Sequence, residues 1–586
     1  MGRNRIESTN HVSGFFEINT DLCGMENLKT GLLSLAKLMK ARGINHLIVS
    51  PGSRNAPVIN VFCKDPFFEC LVIVDERSAA FFALGMALNL QKPVAIVCTS
   101  GSAALNYAPA VAEAFYQKVP LLVLTADRPV EWIDQGDGQT IRQKEVFKNY
   151  IKASFELPES INSSDDLWYN DRLISEAINA TTFPDAGPVH LNLPFTEPLY
   201  GFRLESDHQP KSIEISIVKQ TLPDALLEKL KARWQQSKRK MILVGQQHPD
   251  HQTKHWLEML SADPSVVILT ETTSNLDHPH FIQTIDRCLA LIGSEINAYE
   301  PDLLISFGGH VVSKKVKSFL RKAAIKTHWH IDPVDFQKDT FQHLSIGIPM
   351  SPEVFLESFV PLALKGKGDF ASKWQAVYAR SKAIHREYLN SAPWSDIVAF
   401  NEIFKELPSH YTLHLANSTP VRYAQLFDFV SEIKCFSNRG TSGIDGCTST
   451  AAGACFAKDE PTLLITGDLA FFYDSNAFWN NHLSAQLRVI VINNQGGGIF
   501  RFIDGPQTTG LLENYFEARH QTSAKPIAEL NQLRYFEANN SKELKNVLPQ
   551  FFSPSESAVI LEIKTPPEVS SEQLKEYFRF ISTSKV

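Results

Sequence analysis

The chain has 586 residues and a mass of 65.7 kDa, with 57 Lys+Arg against 64 Asp+Glu and a formal net charge of −7. At roughly 150 residues per domain it accommodates three or four domains with cores of their own, which excludes a disulfide-stapled miniprotein, a disordered tail and a collagen-like fibre. The mild acidity excludes a dedicated nucleic-acid surface, so an anionic substrate has to be held by a few well-placed cations.

The first sixteen residues, MGRNRIESTNHVSGFF, show no apolar core followed by a small-residue cleavage site. No run of about 18 apolar residues could span a bilayer. A cytoplasmic location without a membrane partner is the expectation. The eight cysteines (Cys23, Cys63, Cys70, Cys98, Cys288, Cys435, Cys447 and Cys455) form no CxxC pair and no zinc-like spacing, and read as free buried thiols.

From Asn45 onward, short β-branched runs alternate with longer helical patterns. HLIVSPGSR, CLVIVDE, PVAIVCTSGS and PLLVLTADRP read as buried strands ending in polar or glycine-bearing turns. SAAFFALGMALNL and AALNYAPAVAEAFYQ between them have helical spacing. This grammar predicts a parallel sheet covered on both faces. Residues 201–225 lose the rhythm and read as a linker. A second block carries strands KMILVG, SVVILTE, PDLLISFGG and HWHIDP; after an irregular stretch at 362–375, a third carries YTLHLANS, KCFSNRG, PTLLITGD, RVIVINN and AVILEIK. The expected architecture is α/β, with three consecutive parallel-sheet domains at 1–200, 201–370 and 371–586. In the first and third blocks the unusual residues fall in turns at the carboxyl ends of strands, where open α/β sheets bind ligands.

The most specific feature lies in the third block. PTLLIT runs into Gly467-Asp468-Leu469, and RVIVI ends in Asn493-Asn494-Gln495-Gly496-Gly497-Gly498. Alone, the first reads as a strand-end turn and the second as a flexible loop. Together, 494 − 468 = 26 residues apart and each at a strand end, a carboxylate and a carboxamide can converge on one hard cation such as magnesium, with a glycine carbonyl as a further oxygen.

This pair resembles the signature of thiamine-diphosphate enzymes. The resemblance implies magnesium, or manganese, on Asp468, Asn494 and the carbonyl of Gly496, with thiamine diphosphate against Gly467 and Leu469; Leu469 replaces a glycine common in the wider superfamily. It also implies an acid that protonates the cofactor's aminopyrimidine. Glu76, in LVIVDERSAAFFALGMA, reads by itself as an acidic helix start; its strand–Glu–helix setting matches the family's proton relay. In that fold Glu76 of one subunit serves Asp468 of its partner, so a homodimer, or a homotetramer built from it, is implied. The loop NRGTSGIDG would supply Ser442, Gly443 and the apolar wedge Ile444.

Five cations, Arg54, Arg128, Arg422, Arg439 and Lys314, sit in turns rather than on solvated helix faces. Arginine's planar fork suits carboxylates, so the cluster points to carboxylate-rich substrates. SPGSR, DERSAAFFALG, TSGSA, TADRP and above all NRG-SGIDG-STAAG are similar to the 2-succinyl-5-enolpyruvyl-6-hydroxy-3-cyclohexene-1-carboxylate synthase family, over nearly the whole chain. That family decarboxylates 2-oxoglutarate and adds the succinyl carbanion equivalent to isochorismate in menaquinone biosynthesis. The resemblance places Ser53, Arg54, Arg128, Gln139, Lys314, Ser418, Arg422 and Arg439 in the substrate pocket and Ile499 and Phe500 on its apolar wall. One departure is Gly138, where the family often has Asn. No histidine is assigned a role. An acetohydroxyacid-synthase-like enzyme would share Glu76, Asp468 and Asn494 but not need the arginines, and a silent regulatory subunit would lack Glu76. A dehydrogenase is disfavoured because no strand runs into a G-x-G-x-x-G opening a helix.

Overall fold

The structure is a computed structural model and describes residues 29–202, 204, 206–428, 432–501 and 505–584. The reading of residues 1–16 and the thiol of Cys23 lie outside the described residues. Among the described residues, eighteen strands form three six-stranded sheets, parallel throughout. The first contains β1 (His46–Val49), β2 (Glu69–Val72), β3 (Val94–Cys98), β4 (Leu121–Asp127), β5 (Ala153–Glu156) and β6 (Val189–Pro194). The second contains β7 (Lys240–Val244), β8 (Val266–Thr270), β9 (Phe281–Ile282), β10 (Leu303–Phe307), β11 (Thr327–Ile331) and β12 (Leu344–Ile348). The third contains β13 (Thr412–Leu415), β14 (Cys435–Phe436), β15 (Thr462–Gly467), β16 (Leu487–Asn493), β17 (Arg534–Ala538) and β18 (Val559–Lys564).

Counted within each sheet, the first and third share the order 2-1-3-4-6-5, whereas the middle sheet runs 3-2-1-4-5-6. The middle order is that of dinucleotide-binding folds, yet β7 leads into Gly245-Gln246-Gln247 rather than a glycine-rich phosphate loop. Helix Glu76–Leu90 is buried almost all round, from Ser78 to Leu88. It is sandwiched between its own sheet and helix Cys447–Lys458 of the third block, which suits its even apolar character. The two helices touch through glycines: a Cβ on Gly85 would lie 1.9 Å from the Thr450 carbonyl, and one on Gly453 1.9 Å from the Phe82 carbonyl. First and third blocks are thereby locked together within one chain.

Four sequence readings need correction. AALNYAPAVAEAFYQ is two helices, Ser102–Asn106 and Ala108–Gln117, because Pro109 cannot donate a backbone hydrogen bond and starts a new helix at its first turn. The stretch 362–375 is irregular only in its first half; Phe370, Trp374, Val377 and Tyr378 share one apolar face and begin helix Phe370–Ser391. Cys63 is exposed at the end of helix Ala56–Phe62, so the buried-thiol reading fails there, while Cys98, Cys288, Cys435, Cys447 and Cys455 are buried. Arg422 and Lys314 are not in turns: each lies in a helix, Thr419–Ala424 and Lys314–Lys322. Among the described residues no helix is long and apolar enough to cross a membrane.

Candidate active site

Nearly every candidate residue follows the carboxyl end of a parallel strand, because only there do turns face an open crevice instead of packed helices. Asp468 opens a short helix directly after β15 and is buried. Its Oδ2 accepts the Gly496 N–H at 2.9 Å, which joins the turn after β15 to the loop after β16. Asn494 is buried beside them. Gly496 has φ +149, and a Cβ there would stand 2.7 Å from the Glu517 carbonyl, so the close backbone approach demands glycine. Asp468, Asn494 and Gly496 thus offer carboxylate, carboxamide and carbonyl oxygens from adjacent turns. This all-oxygen donor set fits a small hard divalent cation. Two neighbours escaped the sequence reading. His520 Nε2 approaches Asp468 Oδ2 at 3.4 Å, and Asp396 accepts from Asn494 Nδ2 at 3.0 Å.

The loop NRGTSGIDG is pinned from both sides. Asn417 Nδ2 donates to the carbonyls of Asn438 and Gly443, each at 2.6 Å, and its Oδ1 accepts from Arg439 at 2.8 Å. From the first block Glu113 accepts the N–H groups of Gly440 and Thr441 and the Thr441 hydroxyl, each at 2.7 Å. Burial pushes the Glu113 carboxyl up, and these three donors oppose the shift. Ser442 and Ser418 both have positive φ, +65 and +73, backbone strain of the kind found at ligand sites. Ile444 stands half-buried in this loop.

The predicted cations form two groups. On the first sheet's rim, Arg54 is buried, donates to the Phe195 carbonyl at 3.0 Å and faces Glu197 at 3.3 Å. Burial and then the neighbouring Arg128 hold its pKa down. Arg128 donates to the Gly138 carbonyl at 3.0 Å and pairs with Asp137, so Gly138 contributes its backbone where the family often offers a side chain. Gln139 follows at φ +54, packed against Gly101, and Ser53 is exposed beside Arg54.

On the third sheet's rim, the Arg422 side chain folds back onto the Ser418 carbonyl. Burial and then Arg439 lower its pKa; Arg439 is itself lowered by burial, against Glu271 and Glu113. Glu271, after β8, accepts from the N–H groups of Val312 at 2.6 Å and Ser313 at 2.7 Å, and so sets the loop that presents the exposed Lys314. Ile499 and Phe500 lie half-buried in the turn after Gly498.

Glu76 opens its helix behind Asp75, whose carboxylate accepts the Ser78 N–H at 3.1 Å. Its own Oε2 accepts from Asn106 at 3.0 Å at the surface. Within one chain, and among the described residues, no hydrogen bond or ion pair joins Glu76 to Asp468, Asn494 or Gly496, and none joins the two arginine groups.

Residues 29–146 match the family described as thiamine pyrophosphate enzyme, N-terminal TPP binding domain, and residues 214–413 the middle domain of thiamine pyrophosphate enzymes. Fold and site together define a thiamine-diphosphate-dependent enzyme of the transferase, or carboligase, type. The chain is 42% identical, over 94% of its length and 98% of the relative's, to a 2-succinyl-5-enolpyruvyl-6-hydroxy-3-cyclohexene-1-carboxylate synthase of Christiangramia forsetii. It is 43% identical to the synthase of Porphyromonas gingivalis, over 94% of this chain and 97% of that one, and 38% identical to that of Cytophaga hutchinsonii, over 94% and 99%. The chain belongs to the 2-succinyl-5-enolpyruvyl-6-hydroxy-3-cyclohexene-1-carboxylate synthase family.

Proposed function

We propose that the enzyme decarboxylates 2-oxoglutarate and adds the succinyl carbanion equivalent to isochorismate by 1,4-addition, giving 2-succinyl-5-enolpyruvyl-6-hydroxy-3-cyclohexene-1-carboxylate and carbon dioxide for menaquinone biosynthesis. The observation that carries this reading is the gathering of cations on two sheet rims, Arg54 and Arg128 on the first sheet's and Arg422 and Arg439 on the third's. Gathered guanidinium groups repel one another and favour added anions even where, as for Arg54 with Glu197 and Arg128 with Asp137, each has one acidic neighbour, and their planar forks suit carboxylates. Both substrates are dicarboxylates.

Bound thiamine diphosphate supplies the carbon nucleophile and the electron sink for decarboxylation. The protein supplies position and charge. Asp468, Asn494 and the Gly496 carbonyl would hold magnesium, or manganese in its place, with Gly467, Leu469, Ser442 and Gly443 lining the cofactor and Ile444 as its wedge. Glu76 holds the proton exchanged at the aminopyrimidine nitrogen. The four arginines, with Ser53, Gln139, Lys314 and Ser418, bind the carboxylates and steady negative charge as it develops during the addition. Ile499 and Phe500 close an apolar wall that excludes water.

Exposed apolar side chains lie on the segments that reach Glu76: Val72 and Val74 precede it, Leu105 adjoins its partner Asn106, Tyr473 stacks under Arg77, and Trp479 follows the Asn476 that donates to Asp75; they are between 44% and 57% accessible. A patch of this kind supports burial by a second copy. In the resulting homodimer, or tetramer of such dimers, Glu76 of one protomer meets the metal site of the other. The enzyme works in the cytoplasm with no nucleic-acid or membrane partner, and its blocks at 1–200, 201–370 and 371–586 serve as the pyrimidine-binding, central and diphosphate-binding domains. The test is isochorismate consumption with protein, thiamine diphosphate, magnesium and 2-oxoglutarate, omitting each in turn. Every omission should abolish turnover; consumption of isochorismate without 2-oxoglutarate would contradict the reading.

A further inference from the structure

Asp396 opens helix Asp396–Glu406, is 1% exposed, and has both oxygens engaged. Its Oδ1 accepts from the hydroxyls of Thr565 at 2.5 Å and Ser570 at 3.0 Å. Its Oδ2 accepts from Asn494 Nδ2 at 3.0 Å. A carboxylate only accepts, so the end of Asn494 that faces it has to be the NH2 group. A Cβ at Gly498 would stand 3.1 Å from Asn494 Nδ2, so glycine there leaves the amide the space it occupies, and its contact with Asp396 is what fixes its orientation. The planar carboxamide therefore turns its oxygen away from Asp396.

We propose that Asp396 is a positioning residue that selects which end of the Asn494 amide is offered to the divalent cation, an inference that rests on the metal site proposed above. Nothing in the carboxamide itself makes this choice, since its two ends have the same shape and opposite hydrogen-bonding character. Outer partners of this kind orient a ligand and tune the metal although they never touch it. Thr565 and Ser570 complete the device by holding the carboxylate from behind.

The hydrogen-bond polarity makes the proposal testable by exchange. In Asp396→Asn, the two hydroxyls continue to donate to the amide oxygen of residue 396, so its NH2 faces Asn494. Asn494 then reverses and presents NH2 where an oxygen is needed. Mn2+ affinity in the presence of thiamine diphosphate, read by the electron paramagnetic resonance of free Mn2+, should fall about 10–100-fold. The exchanged pair Asp396→Asn/Asn494→Asp restores an acceptor facing a donor and an oxygen facing the cation, so most of the affinity should return. A purely structural role would not give rescue by exchange. Thr565→Val should weaken Mn2+ binding in the same direction and by less, which keeps the idea testable should the other variants fold poorly. Wild-type Mn2+ affinity in folded Asp396→Asn, or no recovery in the folded exchanged pair, overturns the proposal. No Mn2+ binding by the wild type would instead overturn the metal site itself, and this inference with it.

Discussion

Single side chains at this site act through charge and proton placement. Glu76→Gln keeps the shape and the contact with Asn106 but cannot carry the proton. Isochorismate consumption should drop by about 10²–10⁴-fold with thiamine diphosphate affinity little changed; near-wild-type turnover would count against Glu76 as the relay. Glu271 is a second case. Burial pushes its carboxyl from 4.5 up to about 7, against the N–H donors of Val312 and Ser313. A carboxyl with a raised folded pKa keeps a proton that the unfolded chain releases. Its stabilising contribution is therefore full below pH 4.5 and lost as pH rises through about 7. Glu271→Gln removes that titration, so between about pH 5 and about pH 7.5 the thermal midpoint of the variant should fall less than that of the wild type. Parallel pH profiles would refute the assignment. Residues of this scale were unevenly legible. Asp468 and Asn494 showed themselves through chain spacing, because each ends a strand. Glu113, Asp396 and His520 did not: Glu113 meets Gly440 across 327 residues of sequence and Asp396 meets Asn494 across 98, distances over which no local pattern speaks.

Among the elements, the helix crossing through Gly85 and Gly453 fixes the relation of the first sheet to the third. A methyl at Gly85 would sit 1.9 Å from a backbone carbonyl, which no rotamer change relieves. Gly85→Ala should cost about 1–3 kcal/mol or more and lower the thermal midpoint by several degrees; an unchanged midpoint would show that the crossing yields. Glu113→Gln tests the link from helix to loop. With one acceptor oxygen lost at the Gly440–Thr441 turn, the loop bearing Arg439 should loosen. The substrate KM should then rise more than the thiamine diphosphate Kd; the opposite pattern would contradict a role in substrate binding. The sequence also showed which elements are easy to foresee. A buried central strand such as β3 is an unbroken apolar run. The unforeseen β5, β9, β12 and β17 are short or half-exposed edges, and β6 hides His190 and Asn192, whose polar atoms are satisfied inside the sheet by Thr125, Ser154, Asp127 and Glu156. Propensity and periodicity respond weakly to both situations.

For the whole molecule, one chain carries every proposed catalytic group, but among the described residues no hydrogen bond or ion pair assembles them. The apolar ring around Glu76 is where a second copy is expected to seat. Trp479→Glu, at the rim of that ring, should shift sedimentation toward monomer and lower activity in parallel; an active monomer would exclude a shared site. The central claim, that catalysis occurs where Glu76 of one protomer meets Asp468 of another, is tested most directly by mixing defects. Glu76→Gln and Asp468→Asn subunits, each inactive alone, are co-produced and assayed for isochorismate consumption. In a two-fold dimer each heterodimer has one intact site, so the mixture should recover about a quarter of wild-type activity. A mixture as inactive as its parents would contradict the account.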